Sequence, residues 1–203
     1  ALGAKPFIVP AMGSHGGATA EGQRKVLAEY GITEETMGVP VLSSMETEKI
    51  GELANGVPVY LDRNALESDG IVVVNRVKPH TAFKADYESG LCKMLAIGLG
   101  KHKGATAFHS CGMDEFGELL PQLGKVVLDN APVLFGLAII ENAYDHPARL
   151  EIVWKENLVK REKDLLAEAK SLMPRILLDD LHLLIVQEIG KEISGSGMDP
   201  NIT

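Results

Sequence analysis

The chain has 203 residues, 45% hydrophobic and 24% charged, which suits one substantial folded domain and excludes a disordered one. Its 28 acidic against 20 basic residues leave a formal charge of −8, which excludes a wide basic face for nucleic acid but not a local cationic pocket. Cys92 and Cys111 are too few for a secreted disulfide scaffold and point to a reducing cytoplasm, and apolar runs such as 181–186 are far too short to span a bilayer.

In chain order, Pro6-Phe7-Ile8-Val9-Pro10 is a short strand-like run ending in the small-residue loop Ala11-Met12-Gly13-Ser14-His15-Gly16-Gly17. Thr19 then has the character of an N-cap, with Glu21 and Gln23 in the first turn of a helix reaching Tyr30 and closed by Gly31. A second strand is predicted over 41–44, and 49–53 with 57–61 form a hairpin about Asn55-Gly56, the pair favoured in type I′ turns. The β-branched run 71–74 reads as a strand buried on both faces and leads into Asn75-Arg76-Val77-Lys78-Pro79-His80. Helices are predicted over 87–99, 114–130 and 158–173, and strands over 133–140 and 181–187, the last before a glycine-rich loop at 190–200.

This alternation predicts an α/β, Rossmann-like fold, a mostly parallel sheet with helices on both faces. Ligands in such sheets bind at the carboxyl ends of the strands, so the loops at His15, His80 and Gly190 are expected on one rim. The run begins without Met and ends after a glycine loop. Residues 1–203 are therefore expected to be one α/β domain, a fragment of a longer two-domain protein.

Several residues can carry chemistry. His15 lies among glycines in a loop, where an imidazole suits general acid–base work; the bland reading is a solvated loop histidine. Pro79 stiffens the approach to His80, and Arg76, Lys78 and Lys84 around it offer cations for a carboxylate or phosphate, or form a basic surface turn. Lys93, in the apolar run Leu91-Cys92-Lys93-Met94-Leu95-Ala96-Ile97-Gly98, either snorkels to the surface or is buried, neutral and nucleophilic. His109, in Ala107-Phe108-His109-Ser110, is a structural histidine or a ligand for nickel, copper or zinc. His102 reads as solvated, His146 as part of a turn, His182 as a satisfied core or rim group, and the two cysteines as inert buried thiols. Ser194-Gly195-Ser196-Gly197 is a weak phosphate-cradle candidate.

Taken together, these segments resemble the nickel-pincer-nucleotide-dependent lactate racemase family, over about residues 7–201. The resemblance is carried by Gly13-Ser14-His15-Gly16-Gly17 before an acidic helix start, by His80 after the strand-like run, and by Lys93 sixteen positions before His109. It implies an isomerase, a racemase or epimerase of a 2-hydroxy acid. His15 and His80 would be the opposed acid–base pair, Lys93 the thioamide tether of the cofactor, and His109 the nickel ligand. Gly16 and Gly17 would border the cofactor, and Arg76 and Lys78 would meet the substrate. The implied cofactor is a pyridinium-3,5-bisthiocarboxylic acid mononucleotide carrying nickel.

The implied partners are a small 2-hydroxy acid and cofactor-biosynthesis proteins, without nucleic acid or membrane, in a cytoplasmic protein compatible with a homo-oligomer. The stretch from His80 to Lys93 is a few residues longer than the family pattern. Two other readings compete: a zinc or iron hydrolase using His15, His80 and His109 as ligands, and a nucleotide-binding module without turnover.

Overall fold

A computed structural model describes residues 3–178, 180–189 and 199–202. Thr19 caps α1 (Ala20–Glu29) as expected, its hydroxyl accepting the Gly22 N–H at 3.0 Å. The short α2 (Glu34–Met37) follows, closed by Gly38 in the left-handed conformation. The predicted strands at 6–10 and 41–44 shrink to a single parallel bridge between Ile8 and Val41. Pro6, Pro10 and Pro40 bracket that bridge and have no N–H with which to extend it.

The expected hairpin forms from β1 (Thr47–Glu52) and β2 (Pro58–Asp62). Its turn differs from type I′, which requires positive φ at both central residues. Gly56 is left-handed at φ +85°, whereas Asn55 is not among the positive-φ residues. The Gly56 N–H instead donates to the Leu53 carbonyl and the Leu53 N–H to that of Val57, both at 2.9 Å, a longer turn with a glycine bulge. Asp62 then caps α3 (Arg63–Leu66), accepting the Ala65 N–H at 3.0 Å.

The chain is an α/β protein. Its β3 (Ile71–Arg76) is reached next, and after a long loop come α4 (Leu91–Lys93), a π-helical turn (Met94–Gly98), α5 (Lys101–His109) and α6 (Phe116–Asn130). They return the chain to β4 (Val133–Glu141), which pairs parallel to β3 across this crossover. The β4–β5 hairpin is antiparallel, with β5 (Pro147–Trp154) a strand the sequence reading passed over, so the sheets are mixed and their parallel pairing, among the described strands, is β3–β4. The amphipathic α7 (Leu158–Leu172) then crosses back. The helix expected from 87 begins only at Leu91, because Glu88 is turned into the interior.

One face of the three-stranded sheet packs through Gly136, Ala138, Ile140 and Val153 into a single apolar core shared with Leu91, Leu158 and Leu165. The opposite face carries Val72, Val74, Leu150, Ile152 and Trp154, all exposed, with Trp154 58% open. The strand expected over 181–187 does not form, and Ile185 is 83% exposed. Its apolar composition names no pairing partner, and a strand without a ladder leaves its backbone groups to water. His182 accordingly is exposed rather than a core group. The glycine loop expected from Gly190, with Ser194-Gly195-Ser196-Gly197, lies outside the described residues over 190–198. Among the described residues no helix is long and apolar enough to cross a membrane.

Gly136 is where the crossover presses hardest on the sheet: a Cβ there would stand 2.5 Å from Leu91 Cδ1 and 3.3 Å from Leu158 Cδ1. Gly136→Ala is expected to lower stability by about 1–3 kcal/mol through overpacking, read as the shift in urea midpoint; a shift within error would mean that Leu91 is free to move aside.

Candidate functional site

The His15 loop is built by glycines. Gly16 and Gly17 both sit at φ +65°, a conformation costly for residues with a Cβ. Gly16 is small because of α1: a Cβ would lie 2.6 Å from the Gln23 nitrogen. Gly17 instead faces open space, leaving room for a ligand. The loop carbonyls turn inward, where the buried Gln23 amide donates to Gly13 O at 2.7 Å and His15 O at 3.2 Å. The His15 side chain is left exposed on the outer side.

His80 is held on several sides. Its N–H donates to Glu88 Oε2 at 2.6 Å, its carbonyl accepts from Asn201 Nδ2 at 3.1 Å, and its ring lies 4.5 Å from that of Phe83. Glu88 is itself buried and braced by Lys170 at 2.6 Å. The Ala82 N–H donates to His80 Nδ1 at 3.1 Å, so that nitrogen is the acceptor and a neutral ring carries its proton on Nε2. Burial first, and then the positive charges of Lys93 and Lys78, depress the imidazole to about 4; Glu88 opposes them.

Lys93 leaves the first turn after Gly90, part-buried, with no hydrogen bond or ion pair among the described residues. Burial, reinforced by Lys78, lowers its pKa and favours the neutral, nucleophilic amine. The turn that carries it is anchored by Glu162 of α7, whose Oε2 accepts the Cys92 N–H at 2.7 Å. Burial raises that carboxyl to about 7. Cys92 is wholly buried, and burial followed by Glu162 pushes its thiol up, so it is no thiolate ligand.

His109 ends α5 and is exposed. It lines a groove of about 380 Å³ with Ser14, His102, Ala105, Thr106 and Ser110. The His15 loop and the His109 helix thus meet, with Ser14 as the bridge. An aromatic run ties His109 to the His80 loop: His109 to Phe116 at 5.4 Å, Phe116 to Phe83 at 5.7 Å, Phe83 to His80. Lys78 is exposed, its pKa lowered by partial burial and then by Arg76, and it makes no ion pair among the described residues. Arg76 is bound to Glu141 at 2.8 Å.

His102 is exposed, as the sequence reading had it, and positions 102, 105, 106 and 109, spaced i, i+3, i+4 and i+7, form the helix face that lines the groove. Sequence reasoning missed Glu88 and Glu162, for which no local pattern exists. A larger cleft, about 960 Å³, lies between residues 82–87 and 114–122 and contains none of His15, His80, Lys93 or His109. The chemistry, not the volume, marks the site. Among the described residues no three of His, Cys, Asp or Glu converge to hold a metal ion.

Residues 3–118 match the family described as the lactate racemase N-terminal domain. No curated protein matches. Among solved structures, the lactate racemase apoprotein from Thermoanaerobacterium thermosaccharolyticum is similar in fold, with a TM-score of 0.57 at 15% identity over 79% of this chain. The chain spans 40% of the length of that relative.

Two titrations follow from this geometry. His80 stays neutral until about pH 4, so its ring resonances are expected to move with that midpoint rather than near its ordinary 6.5; a midpoint above 6 would mean that water reaches the ring freely. Glu162 keeps its proton to about pH 7 when folded but only to its ordinary 4.5 when unfolded. Folding is therefore expected to lose stability, by at most about 3 kcal/mol, as pH rises from 4.5 to 7, and little beyond. Glu162→Gln should flatten that slope in urea titrations at several pH values; an unchanged slope would assign it elsewhere.

Proposed function

The chain belongs to the lactate racemase N-terminal domain family, and on that premise we propose that it forms one wall of the active site of a 2-hydroxy-acid racemase or epimerase working with a nickel-pincer nucleotide. The observation that carries this reading is Lys93: a part-buried amine without a hydrogen bond or ion pair among the described residues, its charge disfavoured, sixteen positions before a histidine that opens on a groove.

The residues fit the group. A covalent thioamide tether forms through the neutral nitrogen, and burial moves Lys93 in that direction. A single exposed imidazole at His109 suits a metal whose other ligands come with its nucleotide. When bound, the cofactor supplies a carbon that takes up a hydride and returns it. What remains for the protein is to orient the substrate and handle the hydroxyl proton.

His15 and His80 take that second task, one for each enantiomer. Lys78 is the cation for the substrate carboxylate, since Arg76 is occupied by Glu141. Gly17, with open space before it, is the place where the loop can approach the cofactor closely. The opposite wall of the cleft comes from sequence outside this chain, in a cytoplasmic protein whose cofactor is delivered by its biosynthetic partners.

A zinc or iron hydrolase would need His15, His80 and His109 to converge, and among the described residues no such trio does. A module that only bound a nucleotide would have no use for the tether lysine and the metal-ligating histidine together.

In protein loaded with the cofactor, His109→Ala is expected to abolish nickel retention, measured by metal analysis, and Lys93→Ala to remove the covalent mass increment. Undiminished nickel, or an adduct that persists without Lys93, would strip these residues of their roles. His15→Ala and His80→Ala should each reduce racemisation by roughly 10²–10⁴-fold while cofactor loading survives. Each variant should retain hydride transfer from opposite enantiomers, seen as a spectral change; the same preference in both would end the two-base reading.

A further inference from the structure

Three side chains wholly removed from solvent lie behind the His15 loop: Lys101, Gln23 and Asp62, each 0% exposed. Lys101 Nζ donates to the Pro10 carbonyl and to Gln23 Oε1 at 3.2 Å, and stands 3.4 Å from Asp62 Oδ2. Gln23 passes the connection on, its amide donating to Gly13 O and His15 O. The carbonyls of Pro10, Gly13 and His15 are thus gathered onto one buried cluster. The cluster also reaches the end of β2 through Asp62 and the start of α5 through Lys101.

We propose that Lys101 is a positioning residue for His15: it fixes the loop 10–15 against α5, and so sets where the His15 imidazole stands relative to the groove at His109. This rests on the racemase reading above and adds to it a device outside the acid–base pair.

Three features make the arrangement more than core filling. Lys101 is the first residue of α5 and adopts φ +54°, a conformation rare for a residue with a Cβ. A buried ammonium is costly unless paired, and each of its partners among the described residues is either a loop carbonyl, the loop-binding glutamine or the aspartate that balances its charge. The loop has no slack on its other side. Gly13 N–H donates to Gly98 O at 3.1 Å, and a Cβ on Gly98 would lie 2.6 Å from Ala11 O. The loop is therefore clamped between the π-helical turn and the buried cluster, and loosening the cluster is the way to free it.

The test removes the charge pair together, so that no lone charge is left buried: Lys101→Met with Asp62→Asn, in histidine-labelled protein with and without the cofactor. The double variant is expected to keep its nickel content and KM while kcat falls roughly 10–100-fold, the effect of a displaced but present catalytic group. The His15 ring resonance should shift or broaden in the unloaded protein while that of His80 holds. An unchanged His15 resonance and kcat in the folded variant would overturn the proposal, and so would equal disturbance of His15 and His80, which would mean general loosening. Should the double variant not fold, Gln23→Met decides by the same readouts, since it keeps the Lys101–Asp62 pair and the Lys101 bond to the Pro10 carbonyl while removing the donors to Gly13 and His15 and the acceptor Oε1. Absence of turnover by the loaded wild type would overturn the racemase reading alone, because the His15 resonance of the unloaded protein still decides the role of Lys101.

Discussion

Two ionisable groups, Glu162 and Lys101, are buried at the two ends of one apolar segment, and the rest of the molecule is arranged around keeping them there. Glu162 accepts from the backbone at Cys92, where the segment begins. Lys101 ends it, bound to Pro10, Gln23 and Asp62. Between them, Leu91, Leu95, Ile97 and Leu99 are buried in the core. Removing a charge from water is expensive, so each group dictates what must surround it. Elements distant in sequence, α7 for one and α1 with β2 for the other, are thereby drawn to the same strip of chain.

That strip carries Lys93. The π-helical turn after it, with Leu99 N–H donating to Met94 O at 2.8 Å, widens the helix where the loop 10–15 packs. Such turns are uncommon and concentrate where function demands a local departure from regular geometry. Here the departure lets Gly98 meet Ala11 at close range and brings the His15 loop and α5 together. The candidate residues His80, Lys93 and His109 therefore lie on the crossover connection from β3 to β4 rather than on the strands themselves.

The electrostatics of the site follow from the same crowding. His80 and Lys93 are both pushed toward their neutral forms by burial, and each is disfavoured further by cationic neighbours. A chain with a formal charge of −8 has thus gathered His80, Lys93 and Lys78 into one small region, where burial and mutual repulsion lower the pKa of each. Neutral imidazole and amine are the reactive forms, and a bound anion would find Lys78 close by.

Much of this was legible locally. The N-cap at Thr19, the hairpin at 47–62, the strand β3 and the amphipathic α6 and α7 follow from short-range periodicity and capping, which the chain can satisfy with its own neighbours; the expectation that β3 is buried on both faces fails, because Val72 and Val74 lie on the uncovered face of the sheet. What the sequence could not specify is pairing and burial. Nothing in 181–187 says which strand it would need, and nothing in 147–154 distinguishes it from a turn until β4 is beside it. Glu88, Glu162 and Lys101 carry no local mark of burial, because their partners lie 8, 70 and 91 positions away in sequence. The local chain determined which residues carry ionisable side chains and at what spacing. Long-range packing alone decided which of them lose their water, since desolvation is a property of what encloses a group and not of the group itself.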